Sequence, residues 1–166
     1  MKTAIHALNT LEREGVLKRY AIGGAMGALF YVEPFTTFDL DVFVIVPQPE
    51  GAVLYTLDPL YRRLEAMGFH AEKECVIINQ VPVQFLPAYN PLLEEALQDA
   101  VDVVYEDVPT RVLSAEHLVA VSVQTGRAKD RMRIPMFQEA NVLNIDKLQA
   151  ILHRHGLMER WLAWTR

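Results

Sequence analysis

Residues 20–41, YAIGGAMGALFYVEPFTTFDLD, decide the fold of this chain. A short apolar strand over residues 20–22 is predicted to run into two adjacent glycines, Gly23 and Gly24. The small, apolar residues 25–32 predict a helix, and Pro34 ends it because proline has no backbone N–H to donate. Residues 39–47 predict a second strand, apolar and β-branched, that begins with Asp39 and Asp41. The order of strand, glycine pair, helix and acidic strand carries the interpretation that follows.

Asp39 and Asp41 form the first candidate site. Side chains alternate along a strand, so the two carboxylates point the same way, about 6–7 Å apart, while Leu40 and Val42 point into the core. Two such charges repel each other unless something positive lies between them. A divalent cation meets this need, and Mg²⁺ prefers carboxylate oxygen ligands.

The glycine pair forms the second candidate site. Gly23 and Gly24 would let a triphosphate approach the backbone closely, at the start of a helix whose free N–H groups attract anions. Each pattern alone also occurs without function, Asp-x-Asp as solvated charge and Gly-Gly as a tight turn. Their order along the chain is what makes the combination specific.

The rest of the chain predicts further helices and strands. Apolar periodicity predicts helices over residues 3–14, 54–67 and 92–101, strands over 69–78 and 81–86, and extended chain over 101–112. The intervening Asn79-Gln80 predicts a hairpin turn. From Ser114, a good helix N-cap, the chain is predicted to be helical, with breaks at Asn144 and Gly156. We expect an α/β fold in one domain, residues 1–166, with a mixed-sheet core at 1–113 and a C-terminal helical tail at 114–166.

The composition limits the class of protein. The 166 residues are 51% hydrophobic and 22% charged, which is typical of a globular chain. Cys75 is the single cysteine, so an intramolecular disulfide is excluded and a cysteine-ligated zinc site is implausible. The uncharged residues 20–32 are too few to span a bilayer, which needs about 20 apolar residues, and the N-terminus lacks a signal-peptide pattern. We therefore expect a cytoplasmic protein that does not associate with membranes.

The net charge of −5 bears on possible partners. An acidic chain is a poor general binder of the nucleic-acid backbone, although a local basic patch is compatible with it. Trp161 and Trp164 lie one helical turn apart in the predicted tail. They indicate either packing of the last helix on the core or an exposed aromatic patch for a partner.

The order of elements resembles the nucleotidyltransferase superfamily, which has the DNA polymerase β-like fold. Residues 22–31 with 37–41 are more closely similar to bacterial AbiEii-type nucleotidyltransferases, many of which are toxins of toxin–antitoxin pairs. A second block supports the resemblance: SAEHL at 114–118 and GRAKD at 126–130 are similar to the family's leucine-rich helix and Arg-x-Lys-Asp segment. The similarity spans residues 20–135. It implies a nucleotidyltransferase-like mixed β-sheet flanked by helices.

The same resemblance implies an activity, the metal-dependent transfer of an NMP from an NTP to a protein, RNA or small-molecule acceptor. Asp39 and Asp41 would be catalytic and would hold Mg²⁺ or Mn²⁺. The superfamily's third carboxylate corresponds to Gln84, the third expected metal ligand. A toxin of this type would act beside an antitoxin partner, and a homo-oligomer is compatible with the sequence.

Further roles are implied for the glycine pair and for the second block. The residues expected to bind the nucleotide are Gly23, Gly24, Arg127 and Lys129. Lys129 and Asp130 are also expected to take part in catalysis, Asp130 by orienting Lys129 or the acceptor. Considered without the resemblance, the basic residues at 127–131 indicate a solvated cluster at a helix end.

Four residues depart from the family pattern. Gln84 can offer a carbonyl oxygen to a cation but cannot accept a proton. Phe35 and Phe38 precede the aspartate pair where AbiEii-type proteins often have basic residues, and Arg133 replaces a further aspartate. The sequence therefore leaves three hypotheses open. The first is an active nucleotidyltransferase, and the second is a catalytically degenerate module that binds a nucleotide or a partner without turnover. The third is an ordinary α/β interaction domain in which the motif is accidental.

Overall fold

The computed structural model describes residues 1–52 and 54–165. Helices and strands alternate through the first two thirds of the chain, and helices alone follow. The helices are α1 Lys2–Arg13, α2 Gly24–Ala28, α3 Asp58–Ala66, α4 Pro91–Gln98, α5 Ala115–Thr125, α6 Ala128–Arg131, α7 Ile134–Glu139, α8 Ile145–Arg154 and α9 Met158–Thr165. The strands are β1 Arg19–Ile22, β2 Leu40–Ile45, β3 His70–Glu72, β4 Cys75–Ile78, β5 Val81–Pro87, β6 Val101–Tyr105 and β7 Val108–Val112.

The strands form a mixed sheet in the order β3-β4-β5-β2-β1-β7-β6. Strand β2 is central: it pairs antiparallel with β1 and parallel with β5. The predicted hairpin at Asn79-Gln80 joins β4 to β5, and both turn residues have positive φ, as a tight hairpin turn requires. The predicted α/β class and mixed sheet are confirmed.

Helices cover both faces of this sheet. Alternation along β2 sends Leu40, Val42 and Val44 into a core shared with α1 and α3. Phe43 points to the other face, into a second core with α4, α5 and the tail helices. Asp41 therefore faces the helices of the tail side. No helix in the described part of the chain is long and apolar enough to cross a membrane.

Several element boundaries differ from the sequence-based predictions. Helix α2 ends at Ala28 instead of residue 32, where Tyr31 turns aside to donate a hydrogen bond to the carbonyl of Leu113 at 3.0 Å. Helix α3 begins at Asp58, four residues late, because the Thr56 hydroxyl accepts its N–H and Pro59 suits a first helical turn.

The remaining differences are turns inside predicted elements. Lys73, with φ of 56°, divides the predicted strand 69–78 into β3 and β4. The predicted helix 92–101 ends at Gln98, and Val101 already belongs to β6. Ser114 caps α5 as predicted. However, α5 ends at Thr125 with Gly126 as its C-cap, and two short helices, α6 and α7, precede the predicted break at Asn144.

The tail packs on the core through its last helix. Trp161 in α9 is 8% exposed and belongs to the second core, which supports the packing interpretation of this residue. Arg160 in the same helix donates hydrogen bonds to the carbonyls of Val123 and Gln124 at 3.0 and 2.9 Å. These carbonyls lack partners within α5, so Arg160 stabilises the end of α5 from outside.

Candidate functional site

A cavity of about 210 Å³ lies between the sheet and the helices of the tail side. Gly24, Asp41 and Gln84 line it from the sheet side, and Arg127, Asp130 and Arg133 line it from the α6–α7 side. Apolar side chains form the rest of the lining, and they include Phe43, Leu86, Leu113, Leu118 and Phe137. Residues far apart in the sequence are therefore brought together around one space.

Gly24 and Asp41 are in direct contact at the sheet side of the cavity. Gly24 has a φ of +57°, and a Cβ atom placed on it would lie 1.9 Å from Oδ2 of Asp41. The Asp41 carboxyl thus occupies the space that a side chain at position 24 would need. Gly23 is similarly constrained, because its Cβ would lie 2.4 Å from the Phe43 ring, and its N–H donates to the Asp41 carbonyl at 2.9 Å. The glycine pair is required by the close packing of its turn on β2.

Asp41 and Gln84 are neighbours across the sheet. They are paired in the parallel register of β2 and β5, so their side chains emerge side by side on one face. Extending the antiparallel β4–β5 register by one residue beyond Val76 and Val83 places Cys75 of β4 opposite Gln84. Asp39 lies just before β2, half-buried, and accepts a hydrogen bond from the Thr37 hydroxyl at 3.4 Å.

Opposing charges act on the Asp41 carboxyl. Burial raises its pKa above the usual range, and the negative charge of Asp39 raises it further. Positive charges on Arg127, Lys129 and Arg133 lower the pKa in part. Asp41 is therefore held between a like charge and a basic region on the opposite side of the cavity.

Asp130 organises that basic region. It is only 2% exposed, and its Oδ2 accepts a hydrogen bond from Nε of Arg127 at 2.6 Å. Its Oδ1 accepts from Arg133 at 3.2 Å and, less directly, from Arg127 at 3.4 Å. We refer to these three residues, Arg127, Asp130 and Arg133, as the arginine clamp. One buried carboxylate holds two guanidinium groups at the cavity wall, which leaves the group with a net positive charge.

Three predicted residues lie beside the cavity. The described walls do not include Gly23, Asp39 or Lys129. Lys129 is exposed on α6, although its charge acts on Asp41. Arg131 lies with its guanidinium carbon 5.8 Å from the centre of the Trp164 ring, so it interacts with the last helix.

Comparison with solved structures relates the fold of this chain to folds already known. ANT(2'')-Ia, an antibiotic-resistance factor, is 16% identical in its solution structure, with 98% of this chain and 94% of that chain covered at a TM-score of 0.56. Its crystal structure with adenylyl-2''-tobramycin is 18% identical, covers 96% and 97%, and has a TM-score of 0.58. An antigenic nucleotidyltransferase-like protein from Paracoccidioides brasiliensis is 18% identical, covers 92% and 85%, and has a TM-score of 0.59.

The chain has a nucleotidyltransferase-like fold. No family model matches the sequence, and no curated protein matches it. The likeness to the solved nucleotidyltransferases is therefore one of fold, and it extends over nearly the whole length of this chain.

The nucleotidyltransferase-like fold implies a divalent cation, and the residues present fit one. Asp39 and Asp41 offer carboxylate oxygens, and Gln84 beside Asp41 offers an amide oxygen. Hard cations such as Mg²⁺ and Mn²⁺ prefer such oxygen ligands. The effect of Asp39 on the Asp41 pKa shows that two negative charges act on each other here, and a cation would offset this repulsion.

Sequence reasoning missed several residues of the cavity. Arg133 was noted as a departure, yet it shares Asp130 with Arg127. Tyr89 and Gln124 also line the cavity. Neither carried a sequence signal, because one follows β5 in a loop and the other lies on the apolar helix α5.

A second cluster of polar groups lies outside the cavity. Glu95, Asp99 and His117 have carboxylate and imidazole atoms within 4.8 Å of one another. The Glu95 carboxylate already accepts hydrogen bonds from Arg154 at 2.6 Å, His155 at 2.8 Å and His117 at 3.2 Å. Together these hydrogen bonds lower the pKa of Glu95 to about 2. A guanidinium in contact with the carboxylate disfavours a cation there, so the cluster joins α4, α5 and α8 instead.

Proposed function

We propose that this protein is a metal-dependent nucleotidyltransferase that moves an NMP from an NTP to the hydroxyl group of an acceptor. The observation that carries the proposal is the cavity itself, where Asp41 and Gln84 lie opposite the arginine clamp. The carboxylate of Asp41 and the amide oxygen of Gln84 suit a metal ion, and the guanidinium groups across from them suit the triphosphate bound to it. The nucleotidyltransferase-like fold supports the same activity.

The clamp and the glycine turn would bind the phosphates. Arg127 and Arg133 present guanidinium groups that form paired hydrogen bonds with phosphate oxygens, and exposed Lys129 adds a further positive charge. Gly24 lines the cavity, so its backbone N–H would be within reach of the phosphates, while the Asp41 carboxyl fills the space that a side chain at position 24 would need. These residues position the α-phosphorus for in-line attack.

The acidic side would hold the cation. Asp39 and Asp41, with the amide oxygen of Gln84, would bind Mg²⁺ or Mn²⁺, which supplies charge neutralisation to the triphosphate when bound. In the transfer, the acceptor oxygen forms a bond to the α-phosphorus, the bond to pyrophosphate breaks, and the hydroxyl proton leaves to water. Gln84 cannot accept that proton, and both oxygens of Asp130 are occupied by arginines.

The charge distribution favours a cationic small molecule as the acceptor. Burial raises the pKa of the Cys75 thiol, and the negative charges of Asp39, Asp41 and Glu74 raise it further. The open side of the Asp41–Gln84 row is thus acidic, so it would attract amines and repel the phosphates of RNA. ANT(2'')-Ia, with the same fold, has been crystallised with adenylyl-2''-tobramycin. We infer that the acceptor is a hydroxylated amine, in preference to RNA.

Two observations favour a second candidate function, nucleotide binding without turnover. The position beside Asp41 carries an amide instead of a carboxylate, and Asp130 is engaged by both arginines. Without a free catalytic base at either position, nucleotide transfer would be slower by about 10²–10⁴-fold, while nucleotide binding would stay intact. The motifs that are similar to AbiEii-type toxins support a role in a toxin–antitoxin pair, whether the protein transfers a nucleotide or only binds one.

One experiment tests both functions. Each of the four NTPs is titrated with Mg²⁺ or Mn²⁺, and pyrophosphate release and label transfer are followed with tobramycin, RNA or the protein itself as acceptor. We expect binding that is lost in Asp39→Asn/Asp41→Asn and retained in Asp102→Asn/Asp146→Asn, a control pair of exposed aspartates. Binding with pyrophosphate release supports the enzyme, and binding without release supports the second function. Binding of no NTP would refute both.

A further inference from the structure

Tyr89 and Gln124 both line the cavity, and hydrogen bonds behind Gln124 fix the orientation of its amide. We propose that Gln124 reads the base of the bound nucleotide by donating its amide N–H, and so selects bases with an exocyclic carbonyl, guanine and uracil, over the amino bases adenine and cytosine. The proposal rests on the proposed nucleotide site and adds its base specificity. Asn90, which lies behind Gln124, is the positioning residue.

A chain of two hydrogen bonds sets the orientation of Gln124. The backbone N–H of Leu93 can only donate, and it donates to Oδ1 of Asn90 at 2.9 Å, so the oxygen of the Asn90 amide faces α4. The NH₂ group of Asn90 must then face the other way, and it donates to Oε1 of Gln124 at 3.0 Å. The oxygen of Gln124 is therefore turned towards Asn90, and its NH₂ group is the part of the amide left free to donate to a ligand.

Ser122 and Thr125 give the same wall a complementary acceptor. Their hydroxyl groups donate to the carbonyls of Leu118 and Val121, each at 2.8 Å, within α5. With their protons used in this way, both oxygens offer only lone pairs, and both residues line the cavity. Guanine and uracil carry a carbonyl oxygen beside a ring N–H, which matches a cavity lined by both the Gln124 donor and the Ser122 and Thr125 acceptors. Adenine and cytosine carry the opposite order.

The volume of the cavity and the exposed ring of Tyr89 also fit a base that lies beside Gln124. A volume of about 210 Å³ is below the roughly 300–1,000 Å³ usual for whole ligands, so the cavity encloses part of an NTP and leaves the rest outside. The Tyr89 ring lines the cavity and is 78% exposed, which leaves one of its faces free to stack on a planar ring. The arginine clamp lines the same cavity and would take the phosphates of a nucleotide whose base lies beside Gln124.

Asn90→Asp reverses the polarity from outside the cavity. Aspartate caps a helix as well as asparagine does, so one carboxylate oxygen keeps the hydrogen bond from Leu93. The other oxygen can only accept, and Gln124 must turn its NH₂ group towards it, presenting Oε1 to the ligand. Gln124→Glu has the same outcome, because Asn90 donates to one carboxylate oxygen and the other faces the cavity as an acceptor.

The test compares affinities of Mg²⁺ complexes of GTP, ATP, UTP and CTP by calorimetry. We expect the wild type to prefer GTP to ATP and UTP to CTP. Both variants should move these two ratios about 10-fold or more towards the amino bases, since a matched hydrogen bond is replaced by two opposed acceptors. Ratios are compared because the added negative charge weakens every NTP alike. Gln149→Glu, with the same charge change on exposed α8, should leave the ratios unchanged.

The outcomes separate this proposal from the function on which it rests. Circular dichroism and thermal unfolding confirm that each variant is folded. Unchanged ratios in both folded variants, or a wild-type preference for ATP and CTP, would overturn the base-reading role while leaving the nucleotide site in place. Failure of the wild type to bind any NTP would overturn the nucleotide site and this proposal together.

Discussion

Replacing Gly24 with alanine tests the contact at the centre of the candidate site. The new Cβ would lie 1.9 Å from Oδ2 of Asp41, 2.7 Å from Cγ and 2.9 Å from Cβ. Rotation of the carboxyl group can relieve the first two contacts. It cannot relieve the third, because the Asp41 Cβ is fixed to β2. The variant must therefore move the backbone of the turn as well as the carboxylate.

Two penalties add up to the expected loss of stability. A non-glycine residue at a φ of +57° costs about 1–2 kcal/mol in the left-handed region. Inserting a methyl group into packed surroundings costs a further 1–3 kcal/mol, roughly. We expect Gly24→Ala to lower the free energy of unfolding by about 2–4 kcal/mol. It should also abolish NTP binding, because Asp41 is displaced.

Urea denaturation with two controls isolates the steric penalty. Gly68 has a φ of +87° with no atom within 4 Å of its Cβ position, so Gly68→Ala reports the backbone penalty alone. Asp41→Ala removes the colliding carboxyl, so Gly24→Ala should cost about 1–2 kcal/mol less in that background. A loss in Gly24→Ala no larger than in Gly68→Ala, with no coupling to Asp41, would refute the argument that the carboxyl fills the space of a side chain.

Three further predictions concern the catalytic base, the arginine clamp and the stability of the fold in acid. Gln84→Asp should raise the rate of pyrophosphate release by up to about 10²-fold. Gln84→Asn, whose side chain has the same shape as aspartate but cannot accept a proton, should not. Equal rates of release in the two variants would place the catalytic base elsewhere. Asp130→Asn should weaken NTP binding and lower stability in urea by about 2 kcal/mol, because two guanidinium groups lose their shared charge; an unchanged affinity would remove the clamp from the site. Because the folded pKa of Glu95 is about 2, below its usual 4.5, its stabilisation is complete above pH 4.5. It is lost as the pH falls towards 2, by about 2 kcal/mol after allowance for solvent screening. Burial also lowers the pKa of His117, so stability should begin to fall below pH 6.5, and acid titration of Glu95→Gln should lack the lower step.

Local patterns made much of the core predictable. The strand, glycine pair and acidic strand lie within 22 residues, and alternation alone places Asp41 on the face opposite Leu40 and Val42. The hairpin at Asn79-Gln80 then fixes the position of β5. Gln84 lies beside Asp41 through a different pairing, the parallel register of β2 and β5.

Contacts between distant residues were not predictable in the same way. The Glu95–His117 and Glu95–Arg154 hydrogen bonds span 22 and 59 residues, and no spacing rule connects them. Helix α2 ends early, where Tyr31 donates a hydrogen bond to the carbonyl of Leu113, just after β7 and far along the chain. Asp130 is predicted to orient Lys129 or the acceptor, and the structure adds its hydrogen bonds with Arg127 and Arg133, which lie three residues away on either side.

The Leu93–Asn90–Gln124 relay has a consequence for the redesign of this protein. An isolated glutamine amide has no preferred direction, since turning it over exchanges donor and acceptor at little cost. Here a backbone N–H in the first turn of α4 removes that ambiguity through a residue outside the described cavity walls. A mutant library restricted to cavity-lining positions would keep Asn90 and with it the inherited polarity. Selections for an altered nucleotide preference should therefore randomise positions 90 and 124 together.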